Sequence, residues 1–361
     1  MENLSLQLLM PVGLTLLAAI VLFPFFINLS PKLGLVDMPN YRKLHRKPVP
    51  AIGGFVIILS LVAASFFSAP MQGFIFKHPA LIIGVMVMMI TGLVDDRMNL
   101  SASLRLVIQI LCAVGIAYDG ARIDSLHGFL GIHEIPVYLQ YFLTVFIITG
   151  IINAFNLMDG IDGLAGSMAL VNLVILMVMG ILLHETGWLF FLLPLCAALV
   201  IFLRYNWRPA KIFMGDSGSL VFGLIMSAAG IYFVRKSGDN GSTMTSEFIV
   251  LVTGYCIIPV LDAARVFYDR IKKGQSPFHA DRTHLHHLLT NHHLVHSTAT
   301  NKLLKLHIGL LVTSAIAVLF ISTFWVIFGQ VVEVVLYVSY LKIMSYFYRW
   351  YRVIKKMEIA A

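Results

Sequence analysis

Polar residues in this chain act as punctuation between long apolar segments. Runs free of Asp, Glu, Lys and Arg cover 3–31, 48–76, 78–94, 135–158, 163–184, 186–203, 217–234 and 306–332. Shorter or interrupted runs lie at 102–118, 248–261 and 329–348. A bilayer core about 30 Å thick takes about 20 apolar residues of α-helix per crossing. The pattern therefore predicts eleven spans and an all-α, polytopic membrane helix bundle. It is expected to be a single domain, 1–361, with polar loops at 30–50, 95–101, 156–162, 204–219 and 268–305.

Composition strengthens this reading. The chain is 59% hydrophobic and 12% charged, with a mean hydropathy of +0.87, which no ordinary soluble domain would show. The first apolar run is too long for a signal-peptide core and lacks basic residues before it, so no cleavable signal is expected. Cys112, Cys196 and Cys256 all fall in apolar runs and read as packed thiols, not as disulfides or a metal cluster.

Charge then sets direction. With the N-terminus outside, the loops on one side and the tail 349–361 hold 19 of the 26 Lys and Arg residues. The opposite loops hold four: Lys77, Arg122, Arg235 and Lys236. Cytoplasmic loops are enriched in Lys and Arg, so the N-terminus is expected outside and the C-terminus inside. The +8 net charge is thus a topology signal first, and nucleic acid is not an expected partner. The basic run 42–47 reads the same way, while the tail "YRWYRVIKKME" is expected on anionic lipid headgroups.

On this assignment the candidate chemistry collects on the cytoplasmic side. "LVDDRMN" carries Asp95 and Asp96, neighbouring carboxylates that repel unless a cation or shared proton lies between them. A solvated helix stop is the plain alternative. "NAFNLMDGIDG" ends an uncharged run with Asn156, Asp159 and Asp162 at intervals of three, a slanted stripe on a helix. Glycines 160, 163 and 166 suit close packing or a ligand's approach, but packing leaves the carboxylates unexplained.

"FMGDSGS" places small residues around Asp216 at the start of an apolar span, where backbone N–H groups can meet phosphate. A carboxylate there makes sense with a divalent cation between it and the phosphate; capping of the next helix is the plain alternative. No Walker-A pattern is present. "DRTHLHHLL" offers Arg282, His284, His286 and His287 as donors to phosphate oxygens, and lacks the HExxH spacing of a zinc site. His292, His293 and His296 are expected in a solvated loop. Together these parts suit phosphoryl transfer between a soluble diphosphate donor and a lipid-borne acceptor.

In this order and on one side, the four segments resemble the polyprenyl-phosphate N-acetylhexosamine-1-phosphate transferases, from "GLVDMPNYRKLH" at about residue 34 to about 290. Within that family the resemblance is to the bacterial undecaprenyl-phosphate GlcNAc-1-phosphate transferases. It implies UDP-GlcNAc as donor, undecaprenyl phosphate as acceptor, and UMP and undecaprenyl-diphospho-GlcNAc as products. Such a lipid begins O-antigen, enterobacterial common antigen or teichoic acid synthesis. The implied fold is a bundle of ten or eleven helices in the bacterial inner membrane, often a homodimer, with its site facing the cytoplasm.

The same resemblance implies Mg²⁺, or Mn²⁺ in its place, at Asp216, with Asp95 as a second candidate ligand. Phe213 would stack on uracil, and one of Asp95 and Asp96 would take the acceptor's proton or orient its phosphate. Asn156, Asp159 and Asp162 would organise nucleotide and metal, and Arg282, His284, His286 and His287 would grip the diphosphate and sugar. The sister family acting on UDP-MurNAc-pentapeptide carries its histidine block after Pro-Leu, where this chain has Asp281-Arg282-Thr283; that substrate therefore ranks second. A transporter or flippase is the rival class. It would show inverted repeats and midplane charges, whereas this sequence shows no repeat. Arg105, Arg265 and Lys342 lie inside spans, and Asp262 and Arg265 are the clearest charges there, one turn apart near a cytoplasmic end and able to pair.

Overall fold

In the computed structural model, which describes residues 2–38, 48–276, 283–290 and 296–360, the apolar runs form helices. They are α1 (Glu2–Leu33), α2 (Gly53–Ser65), α3 (Ala69–Lys77), α4 (Pro79–Met98), α5 (Ala102–Tyr118), α6 (Val137–Met158) and α7 (Leu164–Leu182). α8 (Leu189–Asn206), α9 (Asp216–Asp239), α10 (Thr245–Lys272), α11 (Leu285–Thr290), α12 (His296–Ala317) and α13 (Thr323–Ala360) complete the series. Among the described residues, eight helices are long and apolar enough to cross a bilayer, or nine if the bent pair α2–α3 is one span. The protein is a polytopic all-α membrane bundle. All three cysteines are free thiols, two of them buried.

Two expected spans are drawn differently by the structure. The run 48–76 becomes α2 and α3, bent by 113° at residues 66–68. The run 306–332 is broken at 318–322, so α12 and α13 replace the expected spans 306–332 and 329–348. α12 ends in tight turns, with Leu319 N–H donating to the Ile316 carbonyl and Phe320 N–H to Ala317. A lack of charge shows that a segment tolerates lipid. It does not show that the helix is continuous.

α9 is the central helix: 89% of its apolar window is buried, against 22% for α1 and 28% for α13, which face outward. Small residues let its neighbours come close. A Cβ at Gly54 of α2 would overlap Gly218, and one at Gly92 of α4 would overlap the Asp216–Ser217 backbone. Such backbone approach gains van der Waals contact where lipid removes the usual hydrophobic drive. Side-chain amides add fastening inside the bundle. Gln109 of α5 and Asn153 of α6 bond reciprocally (2.6 and 3.4 Å), and Gln330 of α13 reaches Val250 O and Ser314 Oγ at 3.0 Å each.

A short ribbon closes one end of the bundle. β1 (Val36–Asp37) pairs antiparallel with β2 (Val49–Pro50), and Ala51 bridges to Phe213. Gly53 and Gly54 N–H groups then donate to Phe213 and Met214 carbonyls at 2.9 and 2.8 Å. The "GLVD" and "FMGD" segments are thereby fixed side by side.

Candidate active site

α4 carries its paired carboxylates in its last turn and ends at Asn99, whose left-handed backbone (φ 53°) stops the helix. Ser101 then caps α5, accepting from Leu104 N–H at 3.3 Å. This tight turn brings Arg105 back over Asp95. The buried Asp95 carboxylate accepts from Arg105 Nη1 at 2.6 Å and from Leu100 N–H at 2.7 Å. The same Arg105 nitrogen reaches Asp216 Oδ2 at 3.4 Å. Asp95 therefore holds the arginine, while Asp96 turns elsewhere.

Asp216 is the first residue of α9, following Gly215 (φ 71°), a backbone state that glycine adopts without strain. A Cβ at Gly215 would lie 2.6 Å from Asp96 Oδ2 and 2.7 Å from the Ala51 carbonyl, so the glycine also makes room. The Asp216 N–H donates to Asp96 Oδ1 at 3.1 Å, and Asp96 thereby caps the helix dipole. Asn156, from the last turn of α6, donates to Asp216 Oδ1 at 2.8 Å and to Ser219 Oγ at 2.9 Å. The second Asp96 oxygen is buried without a hydrogen-bond partner among the described residues.

α6 stops at Met158 and α7 starts after Gly163 (φ 76°), leaving Asp159 and Asp162 in the turn between. Burial pushes the Asp159 carboxyl up to about 7, with the Asp216 and Asp162 charges adding to the effect. Asp162 accepts from Ala210 N–H at 3.2 Å and pairs with His296 Nδ1 at 3.2 Å, while its carbonyl accepts from Thr300 Oγ at 2.8 Å. His296, expected in a solvated loop, instead opens α12 and is tied to this turn. The expectation failed because flanking polarity says nothing about what a distant turn supplies. Arg282, His292, His293 and the run 42–47 lie outside the described residues.

The three histidines of "HLHH" take different places. His284 is buried against Asp262, Nδ1 to Oδ2 at 2.9 Å, and its ring lies parallel to that of His286 with centroids 5.9 Å apart. His286 packs on Gly160 so closely that a Cβ there would enter its ring. Burial, then the neighbouring His287 and His284, lower the His286 pKa to about 3, so it is a neutral ring at pH 7. His287 lines the cavity.

That cavity, about 630 Å³, is walled by Asp37, Asp96, Asp159, Asp162, Phe213 and Asp216, together with Arg208, His287 and His296. Asp95, Asn156, His284 and His286 stand behind this wall and fix its members. The Asp262–Arg265 pairing expected from spacing is present at 2.6 Å. Arg105, Asp37, Arg208 and Asp262 were not singled out as site residues in the sequence. Of these, Arg105 carried a readable signal, since an arginine inside an apolar span marks a functional position by default.

Among the described residues, no three His, Cys, Asp or Glu side chains converge as metal ligands. Mg²⁺ binds through one or two carboxylates and completes its shell with water and substrate phosphates. The donor set is all oxygen at Asp96 and Asp216, and the unpartnered Asp96 oxygen leaves acceptor capacity unused. The residues present fit a hard divalent cation.

Fold and site thus describe a polytopic membrane bundle with a carboxylate-rich cavity at its helix ends. Residues 78–234 match the glycosyl transferase family 4 model. The chain is 32% identical over 313 residues to a probable undecaprenyl-phosphate N-acetylglucosaminyl 1-phosphate transferase of Bacillus subtilis, covering 86% of this chain and 84% of the relative. It is 33% identical to the undecaprenyl-phosphate α-N-acetylglucosaminyl 1-phosphate transferase of Escherichia coli K12, over 74% and 72% of the two chains. A decaprenyl-phosphate N-acetylglucosaminephosphotransferase of Mycobacterium tuberculosis is 31% identical over 72% of this chain and 70% of its own. The protein belongs to the polyprenyl-phosphate N-acetylhexosamine-1-phosphate transferase family.

Proposed function

We propose that the chain transfers GlcNAc-1-phosphate from UDP-GlcNAc to undecaprenyl phosphate, giving undecaprenyl-diphospho-GlcNAc and UMP, as the first lipid-linked step of a cell-envelope polysaccharide. The observation that carries this reading is the cavity at the helix ends, where Asp96, Asp159 and Asp216 face His287 and Arg208. An oxygen of the acceptor phosphate attacks the sugar-bearing phosphorus of the donor. The bond from that phosphorus to the UMP oxygen breaks, and UMP leaves with the electron pair. The acceptor's second pKa is about 6, so it is largely ionised at pH 7 and needs positioning more than a base.

Phe213 offers a ring for the uracil at one wall, and His287 and Arg208 offer donors to the diphosphate. Magnesium, or manganese in its place, would be held by Asp216 and Asp96; when bound it neutralises phosphate charge and polarises phosphoryl oxygens. Both Asp95 oxygens are engaged, by Arg105 and Leu100, so Asp96 takes the ligand role expected for Asp95. The excess of Lys and Arg on the site's side supports a cytoplasmic cavity in a bacterial inner membrane, with α5 and α12 completing eleven crossings. The helical tail of α13 then lies near anionic headgroups.

The test is an exchange assay with purified protein, undecaprenyl phosphate, radiolabelled UMP and a panel of unlabelled UDP-sugars. Label should enter UDP-GlcNAc. Faster entry into UDP-GalNAc or UDP-MurNAc-pentapeptide would reassign the sugar, and no exchange with any donor would overturn the reading.

A further inference from the structure

The motif that brings His287 to the cavity is short. α11 has six residues, and a helix of that length is not stable by itself. What holds it comes from α10. The buried Asp262 carboxylate accepts from Leu285 N–H at 3.0 Å (Oδ1) and 3.1 Å (Oδ2), and pairs with His284 Nδ1 at 2.9 Å. Arg265, one turn along, donates to Asp262 Oδ1 and to the Thr283 carbonyl, each at 2.6 Å. Three consecutive residues at the start of the motif, Thr283, His284 and Leu285, are each gripped by this one pair.

We infer that Asp262 is a positioning residue of the transferase: through His284 and the first N–H of α11 it sets where His287 stands in the cavity. Leu285 is the first residue of α11, so its N–H has no partner within the helix, and the carboxylate satisfies it from 23 residues away in sequence. A carboxylate on Nδ1 of a histidine also selects the tautomer and fixes the ring plane. The His284 ring in turn lies parallel to His286, which is seated on Gly160. Position therefore passes from α10 through two rings to the Asp159–Asp162 turn. The outer end of the assembly reaches α13, since Arg265 Nη1 lies 3.8 Å from Asp269, and Lys342 lies 3.6 Å from the same carboxylate.

A buried ion pair is weak ground for claiming stability, because desolvation offsets much of the attraction. Its placement at the root of a functional motif is the stronger ground. This role rests on the transferase reading of the cavity, so the test has one arm that needs no turnover.

Full-length protein in lipid nanodiscs would be compared as wild type, Asp262→Asn, Asp262→Ala, His287→Ala and the Asp262→Asn/His287→Ala double variant. Asp262→Asn should lower kcat/KM for UDP-GlcNAc about 10- to 100-fold, the usual cost of losing a group that orients a functional histidine. The double variant should be no slower than His287→Ala alone, because the two act as a unit. In hydrogen exchange, Asp262→Ala should speed exchange in the 283–290 segment and leave α6 and α9 unchanged. Asp262→Asn activity within twofold of wild type, losses that multiply in the double variant, or faster exchange throughout the bundle would each overturn the role. A wild type that acts on no UDP-sugar donor would sink the transferase reading, while the hydrogen-exchange pattern would still decide the anchor.

Discussion

The two ends of the bundle use charge in opposite ways. At the end away from the cavity, cations are matched. Arg235 pairs with Asp124 at 2.7 Å and approaches Asp239 at 3.8 Å, and Lys77 and Lys236 flank Glu185 at 3.4 and 3.6 Å. Arg122 lies over the Tyr141 ring and donates to its hydroxyl at 2.9 Å. At the cavity end, among the described residues, Asp95, Asp96, Asp159 and Asp216 gather, with Arg105 bridging two of them and Arg208 on the wall. A neutralised cluster fastens loops, whereas an excess of carboxylates at helix ends stores a demand for positive charge that a metal ion with a diphosphate can meet.

The largest expected effect comes from removing that demand. Asp216→Asn should keep the fold and lower turnover about a thousandfold or more, several kcal/mol of transition-state stabilisation. Substantial activity in this variant at any magnesium concentration would break the contrast between the two ends. Chelation by EDTA should have a comparable effect, reversed by added Mg²⁺.

Asp95 and Asp96 should then prove unequal. Asp96→Asn is expected to approach the loss at Asp216, because Asp96 faces the cavity and caps α9. Asp95→Asn should cost about 10- to 100-fold and lower Tm, since it frees Arg105 from its 2.6 Å partner. Equal losses with unchanged Tm would refute this division.

Gly160→Ala should lower kcat about tenfold by displacing the His286 ring, with little change in nucleotide affinity measured by calorimetry. A fully active alanine variant would show that His286 yields without consequence.

A smaller effect concerns pH. Asp159 has its folded-state pKa raised from 3.8 to about 7, so between those values the folded protein keeps a proton that the unfolded chain has lost. Its contribution to stability is therefore greatest at low pH and falls as pH rises through that window. Without divalent cations, Tm should decline from pH 5 to 8 more steeply in wild type than in Asp159→Asn. Equal slopes would remove Asp159 from the charged cluster.

The smallest change is expected at the far end. Lys77→Met should leave kcat within twofold and cost less than about 1 kcal/mol, because the Lys77–Glu185 pair is partly exposed. A large loss of activity there would mean that the two ends are coupled.

Much of this molecule was legible in one dimension. Lipid solvation admits only backbone that satisfies itself, so uncharged runs announced helices, and the chemistry could then stand only at the breaks between them. Asp95, Asp96, Asp159, Asp162 and Asp216 were visible because a carboxylate at the end of a greasy run has no packing explanation, and the histidine motif because three imidazoles fall within four residues. Which of them line the cavity was decided in three dimensions. Asp95 and Asp96 are adjacent in sequence, yet Asn99 and Ser101 turn the chain so that Arg105 engages one and leaves the other to α9. His284 and His287 share a motif, yet Asp262 holds the first behind the wall and the second lines the cavity. The sequence by itself determined a membrane bundle with acidic and basic groups at its helix ends, because burying charge in lipid is too costly to leave the pattern ambiguous. Only tertiary structure decided the partners, because hydrogen bonds and ion pairs act over a few ångströms between residues that chain order places up to 138 positions apart.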